Sequence, residues 1–246
     1  MTNERRKRSA RAEAARLERE RAERRKRLIL TGSIAAAATV LVGAAAWGVS
    51  ALSSADEERD VVAPRYVSRG APGFAFPAKA GPGVPVVEVY ADFLCPHCAD
   101  FAASDGERLL KERADAGEIS LRFVPMTIMD GQASDGPAHD VMNAAVCAAD
   151  AQGPEGFWAL HPALFAAGFH EDDSEPSRTD LARVAQDAGV PGIDACIDEG
   201  RFVPWLSEPR DAARDRGVTG TPTVLVDGEK VDDPTAAALQ TAIDAA

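Results

Sequence analysis

The chain has 246 residues, 46% of them hydrophobic, enough for one substantial folded domain with accessory segments. It carries 27 Lys and Arg against 39 Asp and Glu, a net charge of −12, but the charge is divided: residues 1–27 hold 12 basic and 5 acidic residues, leaving 15 basic and 34 acidic in the rest. No aromatic residue lies among the N-terminal charges to stack on bases and the body is acidic, so the composition argues against a nucleic-acid-binding protein.

Residues 1–27 interleave Glu and Arg at spacings that suit a solvated helix with i,i+4 pairs, and they read as a basic cytoplasmic tail. From Leu28 to Leu52 there is no charge, a length that crosses a hydrocarbon core of about 30 Å as a helix. Arg24, Arg25, Lys26 and Arg27 directly precede this span, so the N-terminus is expected to stay in the cytoplasm and the C-terminal body to lie outside. A cleaved signal peptide is the competing reading, supported by the small residues Ala51-Leu52-Ser53-Ser54-Ala55. The long basic region and an apolar stretch beyond the usual 7–15 residues favour an uncleaved anchor over 28–52. Residues 53–83, rich in Ser, Gly, Pro and charge, read as a linker, and a folded domain is expected over 84–246.

The domain opens with an apolar strand over 85–92, followed at once by Phe93-Leu94-Cys95-Pro96-His97-Cys98 and a helix from Pro96 to about Ala114. A second strand is predicted over 119–125, parallel to the first through that helix. Residues 131–217 carry helical patterns over 137–151, 154–168, 178–188, 192–199 and 201–216, with almost no strand signal. Thr223 to Val226, the turn Asp227-Gly228 and Glu229-Lys230-Val231 read as a hairpin leading to a closing helix over 234–245.

Two cysteines spaced C-x-x-C where a strand turns into a helix are the thioredoxin-type redox position. At a helix N-terminus, unpaired backbone N–H groups and the positive end of the helix dipole favour the thiolate of Cys95 as nucleophile. Cys98, one turn further on, is placed to attack a mixed disulfide formed at Cys95. Pro96 suits the first helical turn, where its missing N–H needs no partner, and His97 can add positive charge beside the thiolate. A zinc site needs two further close ligands, but Cys147 and Cys196 are isolated from the motif and from each other, so no metal is assigned.

The F-x-C-P-H-C motif after a strand, with Thr219-Gly220-Thr221-Pro222-Thr223 before an apolar strand about 120 residues later, resembles the DsbA-type thiol-disulfide oxidoreductases of the thioredoxin superfamily. The resemblance covers residues 84–246. It implies an α/β thioredoxin fold with a helical insertion over about 131–217, here preceded by a single transmembrane helix. It also implies that Pro222, preceded by Thr221, is a cis-proline packed against the active-site disulfide. The family often has a buried acid six residues before the first cysteine; that position is Val89 here, and strand alternation points the neighbouring Glu88 to the opposite face.

The function this implies is extracytoplasmic introduction of disulfides into exported proteins, with reduced exported polypeptides as substrates and no bound cofactor. A quinone-linked membrane reoxidase of the DsbB or vitamin K epoxide reductase-like type would restore the Cys95–Cys98 disulfide. A reductase or isomerase on the same fold is the nearest alternative, and a nonenzymatic metal-binding or scaffold protein is an alternative of another class. In an oxidising compartment an even number of cysteines usually pairs, so Cys147 and Cys196 are expected to form a structural disulfide, the alternative being two separate buried apolar residues. His139, His161 and His170 sit among acidic or aromatic residues and read as core or surface groups. Phe157, Trp158, Leu160, Leu164 and Phe165 recur at helical spacing and read as core.

Overall fold

The computed structural model describes residues 61–67, 73–76, 80–131, 133–169 and 175–246. The tail 1–27, the predicted span 28–52 and His170 lie outside the described residues, among which no helix is long and apolar enough to cross a membrane. A five-stranded mixed sheet carries strands β1 (Phe74–Ala75), β2 (Val86–Ala91), β3 (Ser120–Pro125), β4 (Thr223–Val226) and β5 (Glu229–Val231) in the order β1-β3-β2-β4-β5. β2 and β3 are parallel, with Val89 opposite Phe123, while the other pairings are antiparallel. Helices α1 (Pro96–Ala102) and α2 (Asp105–Asp115) make the crossover between them. Helices α3 (Pro137–Gln152), α4 (Pro154–Ala166), α5 (Arg178–Asp187), α6 (Asp194–Asp198) and α7 (Ser207–Asp215) form the insertion before β4, and α8 (Ala236–Ala245) closes the chain.

The structure corrects the sequence reading in three places, one being that the helix expected over 201–216 is a 3-10 turn, Val203–Leu206, followed by α7. The single helix expected from Pro96 to Ala114 is two, because the Ser104 hydroxyl accepts the N–H groups of Gly106 and Glu107 at 3.1 and 3.3 Å and starts a new helix there. The domain also begins earlier than residue 84, inside the stretch read as linker. Phe74 is fully buried and stacks on Phe157 at 4.8 Å, and the Trp158 indole N–H donates to the Ala75 carbonyl at 3.2 Å. A two-residue strand has too little periodicity to be read; it is held by partners more than 40 residues away.

Central β2 is buried on both faces, and its alternation divides them. Val87, Val89 and Ala91 enter the main core with Phe93, Phe123, Leu110, Phe157, Leu160 and Leu164. Tyr90 faces a smaller core with Val124, Met126, Ala213 and Leu225. Glu88 lies on that second face, where the Arg216 guanidinium donates to both its oxygens at 2.8 and 2.6 Å, and Arg216 also donates to the Tyr90 hydroxyl. The hairpin turn puts Asp227 and Gly228 at φ 47° and 87°, the positive values that an Asp-Gly turn between antiparallel strands demands. At Gly156 the helices α3 and α4 come so close that a Cβ would lie 2.4 Å from the Ala148 carbonyl oxygen.

His161 of α4 is buried in a ring of Phe93, Phe123, Phe157, Trp158 and Phe165, with centroids 4.9 to 5.9 Å away. Burial, and secondarily the charge of Lys111, hold its imidazole well below the ordinary histidine range. In the unfolded chain it titrates near 6.5, so below that pH only the unfolded state takes the proton. The stability from a neutral His161 is therefore complete above about pH 6.5 and is lost at about 1.4 kcal/mol per pH unit below it. Urea unfolding of His161→Phe beside the wild type is expected to show the variant gaining about 1 kcal/mol, relative to wild type, between pH 6.5 and 5.5. Parallel pH profiles would contradict this assignment.

Candidate active site

The C-terminal end of β2 delivers the chain into a turn of Asp92, Phe93 and Leu94, closed by the Cys95 N–H donating to the Asp92 carbonyl at 3.1 Å. Cys95 is the N-cap of α1, in extended conformation at φ −81° and ψ 119°, and Pro96 is the first helical residue. The Cys95 carbonyl accepts from the N–H groups of Cys98 and Ala99, which places the second thiol one turn in. Both cysteines are free thiols; Cys95 is 5% exposed and Cys98 1%. Burial pushes the Cys98 thiol up, opposed by its contacts with the Asp92 main chain and the Thr221 hydroxyl and reinforced by Cys95.

The loop before β4 brings Thr221 and Pro222 to this turn. The Thr221–Pro222 peptide is cis, and the Cys95 thiol donates to the Thr221 carbonyl at 3.6 Å across 126 residues of sequence. Pro96 and His97 are exposed on the rim, with His97 Nδ1 3.9 Å from Asp100 Oδ2. The six residues read as a site, Cys95, Pro96, His97, Cys98, Thr221 and Pro222, thus meet in one place. Beside them opens a cleft of about 580 Å³, lined by His97, Phe101, Pro222, Pro234, Ala236 and Ala237. It combines three stretches distant in sequence, so no local pattern announces it.

The position six residues before Cys95 holds no acid: Val89 is in the core. A buried acid is present instead at Asp92, three residues before Cys95, with no exposed surface. Its Oδ1 accepts the Leu94 N–H at 2.9 Å and its Oδ2 the Met129 N–H at 3.0 Å. Burial raises its pKa to about 6 against those two bonds, and Asp130 adds to the rise. Asp130 in turn accepts from the Ala138 and His139 N–H groups at 3.0 and 2.9 Å, capping α3, and meets His139 Nδ1 at 2.6 Å; His139 Nε2 lies 3.1 Å from the Thr127 hydroxyl. The sequence signal for Asp92 was an acid directly after an apolar strand, a pattern equally suited to a surface turn.

Cys147 and Cys196 are joined in a disulfide with Cα atoms 6.0 Å apart, linking α3 to α6 inside the insertion and away from the redox pair. The buried Asn143 braces the same place, accepting the Phe202 N–H at 2.9 Å and donating to the Cys196 carbonyl at 3.4 Å.

The family model described as thioredoxin matches residues 83–245. Among solved structures, oxidised DsbA from Mycobacterium tuberculosis is 27% identical with a TM-score of 0.59, the match covering 70% of this chain and 91% of that one. The disulfide bond oxidoreductase DsbG from the same organism is 27% identical with a TM-score of 0.57, over 73% and 85%. MdbA from Corynebacterium diphtheriae, a thiol-disulfide oxidoreductase, shares the fold at 19% identity and a TM-score of 0.61, over 76% and 99%. A search of curated proteins finds no match. With a C-x-x-C pair capping α1, a cis-proline against it and a helical insertion between β3 and β4, the chain belongs to the thioredoxin family and has the fold of its DsbA-type thiol-disulfide oxidoreductases.

Proposed function

We propose that this protein is a membrane-anchored, extracytoplasmic oxidant of protein dithiols. The observation that carries this is the placement of Cys95, at the start of α1 and against the Thr221 carbonyl, with Cys98 more deeply buried behind it. In the oxidised enzyme a substrate thiolate attacks Cys95 Sγ; the Cys95–Cys98 bond breaks and its electron pair leaves on Cys98, which takes a proton. The substrate's second thiolate then attacks the substrate sulfur of the mixed disulfide, closing the substrate disulfide and releasing Cys95 as a thiolate. The substrate dithiol has given two electrons to the enzyme disulfide, and a quinone-linked membrane partner of the DsbB or vitamin K epoxide reductase-like type would withdraw them. The cleft beside Pro222 suits an extended substrate segment on either side of its cysteine. The uncharged span 28–52 behind a basic flank supports the location.

Redox direction is tested by equilibrating the protein with glutathione. The potential is expected nearer −120 mV than the roughly −270 mV of thioredoxin, because an exposed His97 between the cysteines stabilises the reduced form. His97→Gly should lower the potential by about 30 mV or more, tenfold in the equilibrium constant with glutathione. A wild-type value below about −250 mV would make the protein a reductase. Location is tested separately: the full-length chain should stay in membranes through an alkaline wash, and protease added outside should digest the domain and spare the N-terminal tail. Release of a soluble product starting near Ala55 would establish cleavage instead.

A further inference from the structure

The cleft beside the redox pair has an apolar floor and an acidic mouth. Phe101, Pro222, Pro234, Ala236 and Ala237 line it, together with Asp100 from α1 and Asp233 from the turn between β5 and α8, and no Lys or Arg does. One end is closed by α2, where a Cβ on Gly106 would lie 2.6 Å from the Pro234 carbonyl oxygen. Asp100 and Asp233 are exposed. Among the described residues Asp233 has no Lys, Arg or His within ion-pair distance, and Asp100 has only His97, at 3.9 Å. A third carboxylate at the cleft, Asp105, is already held by Arg108 at 2.8 Å.

We propose that this cleft selects among substrates, favouring reduced polypeptides with a lysine or arginine close to the reactive cysteine, and that Asp100 and Asp233 are the residues that receive the cationic head. The selectivity rests on Cys95 and Cys98 being the redox pair. A substrate sulfur that reaches Cys95 comes up to the Thr221–Pro222 loop, because the Cys95 thiol lies against the Thr221 carbonyl. Pro222 is also a wall of the cleft, so side chains near the substrate cysteine fall within its reach. Lysine and arginine match both parts of it: their methylene stems can lie on the apolar floor while the charged head stays at the wet mouth between carboxylates. A leucine would use the floor alone, and a glutamate would bring like charge to Asp100 and Asp233. Each exposed ion pair contributes little by itself, but the acids also draw a cationic segment in from a distance.

The test is the rate at which the oxidised full-length protein oxidises three dithiol peptides that differ only in the residues flanking the first cysteine: lysine, glutamine or glutamate. Lysine also lowers the pKa of a neighbouring cysteine and speeds any exchange, so each rate is divided by that of the same peptide with hydroxyethyl disulfide, which is uncharged. At low salt the corrected rate is expected to fall from lysine through glutamine to glutamate, about tenfold from first to last, the scale of two exposed ion pairs exchanged for repulsion. Asp100→Asn with Asp233→Asn should reduce that ratio to about twofold. Asp187→Asn with Asp194→Asn removes the same charge from exposed sites on the insertion and should leave the ratio near tenfold. Equal corrected rates for the three peptides overturn the proposal. So does an equal loss in both double variants, which would trace the preference to the acidity of the whole domain. A protein that oxidises none of the peptides would remove the redox-pair reading itself, which separates that failure from this one.

Discussion

Cys95→Ala and Cys98→Ala are each expected to abolish oxidation of dithiol peptides, since neither can form the Cys95–Cys98 disulfide, but Cys98→Ala alone should attack a peptide disulfide through Cys95, release one peptide thiol and hold the other sulfur as a mixed disulfide, visible as a mass adduct released by reductant. The asymmetry follows from the geometry of one helical turn. Cys95 caps α1 at the surface of the site with its sulfur against the Thr221 carbonyl, whereas Cys98 is 1% exposed and burial disfavours its thiolate. An attacking thiolate therefore reaches Cys95 and expels Cys98. When Cys95 instead opens a peptide disulfide, Cys98 is the protein's own thiol placed to resolve the adduct, and in Cys98→Ala it is gone. Preferential alkylation of Cys98 in the reduced wild type would reverse the two roles.

Replacing Cys147 and Cys196 by Ala together is expected to lower stability by about 3–4 kcal/mol, with little change in the potential of the Cys95–Cys98 pair. The bridge spans 49 residues of sequence and closes a loop whose entropy the unfolded chain would otherwise regain. It fastens α3 to α6 where Asn143 already bonds to Phe202 and Cys196, so the insertion should loosen at that seam first. For a domain of this size the midpoint of thermal unfolding should fall by roughly 10 °C. Unchanged melting would show that packing of α3 against its neighbours suffices. Intact mass after mild reduction should still show one disulfide in the wild type, since a structural bridge resists reductant better than a catalytic one.

What was legible in the sequence was what neighbouring residues decide among themselves. The apolar run Val86 to Ala91 predicts a strand. Cys95 followed by Pro96 at a strand-to-helix turn predicts a capping thiol and a helix start, and Asp227-Gly228 predicts the hairpin, each resting on backbone preferences a few residues long. The Ser104-x-x-Glu107 pattern that divides α1 from α2 is equally local, but the apolar spacing runs on through it and masks the break. Only the tertiary structure decided which distant groups meet these local pieces. The Thr221 carbonyl reaches Cys95 because β4 pairs antiparallel to β2, and Glu88 is tolerated in a buried strand because Arg216, at the end of the insertion, returns to it. Asp92 is the sharpest case: three residues from a legible motif, it is turned inward by the Met129 N–H 37 residues away. A carboxyl after an apolar strand is stable either in water or against backbone donors, and the donors that keep this one buried are supplied by the fold.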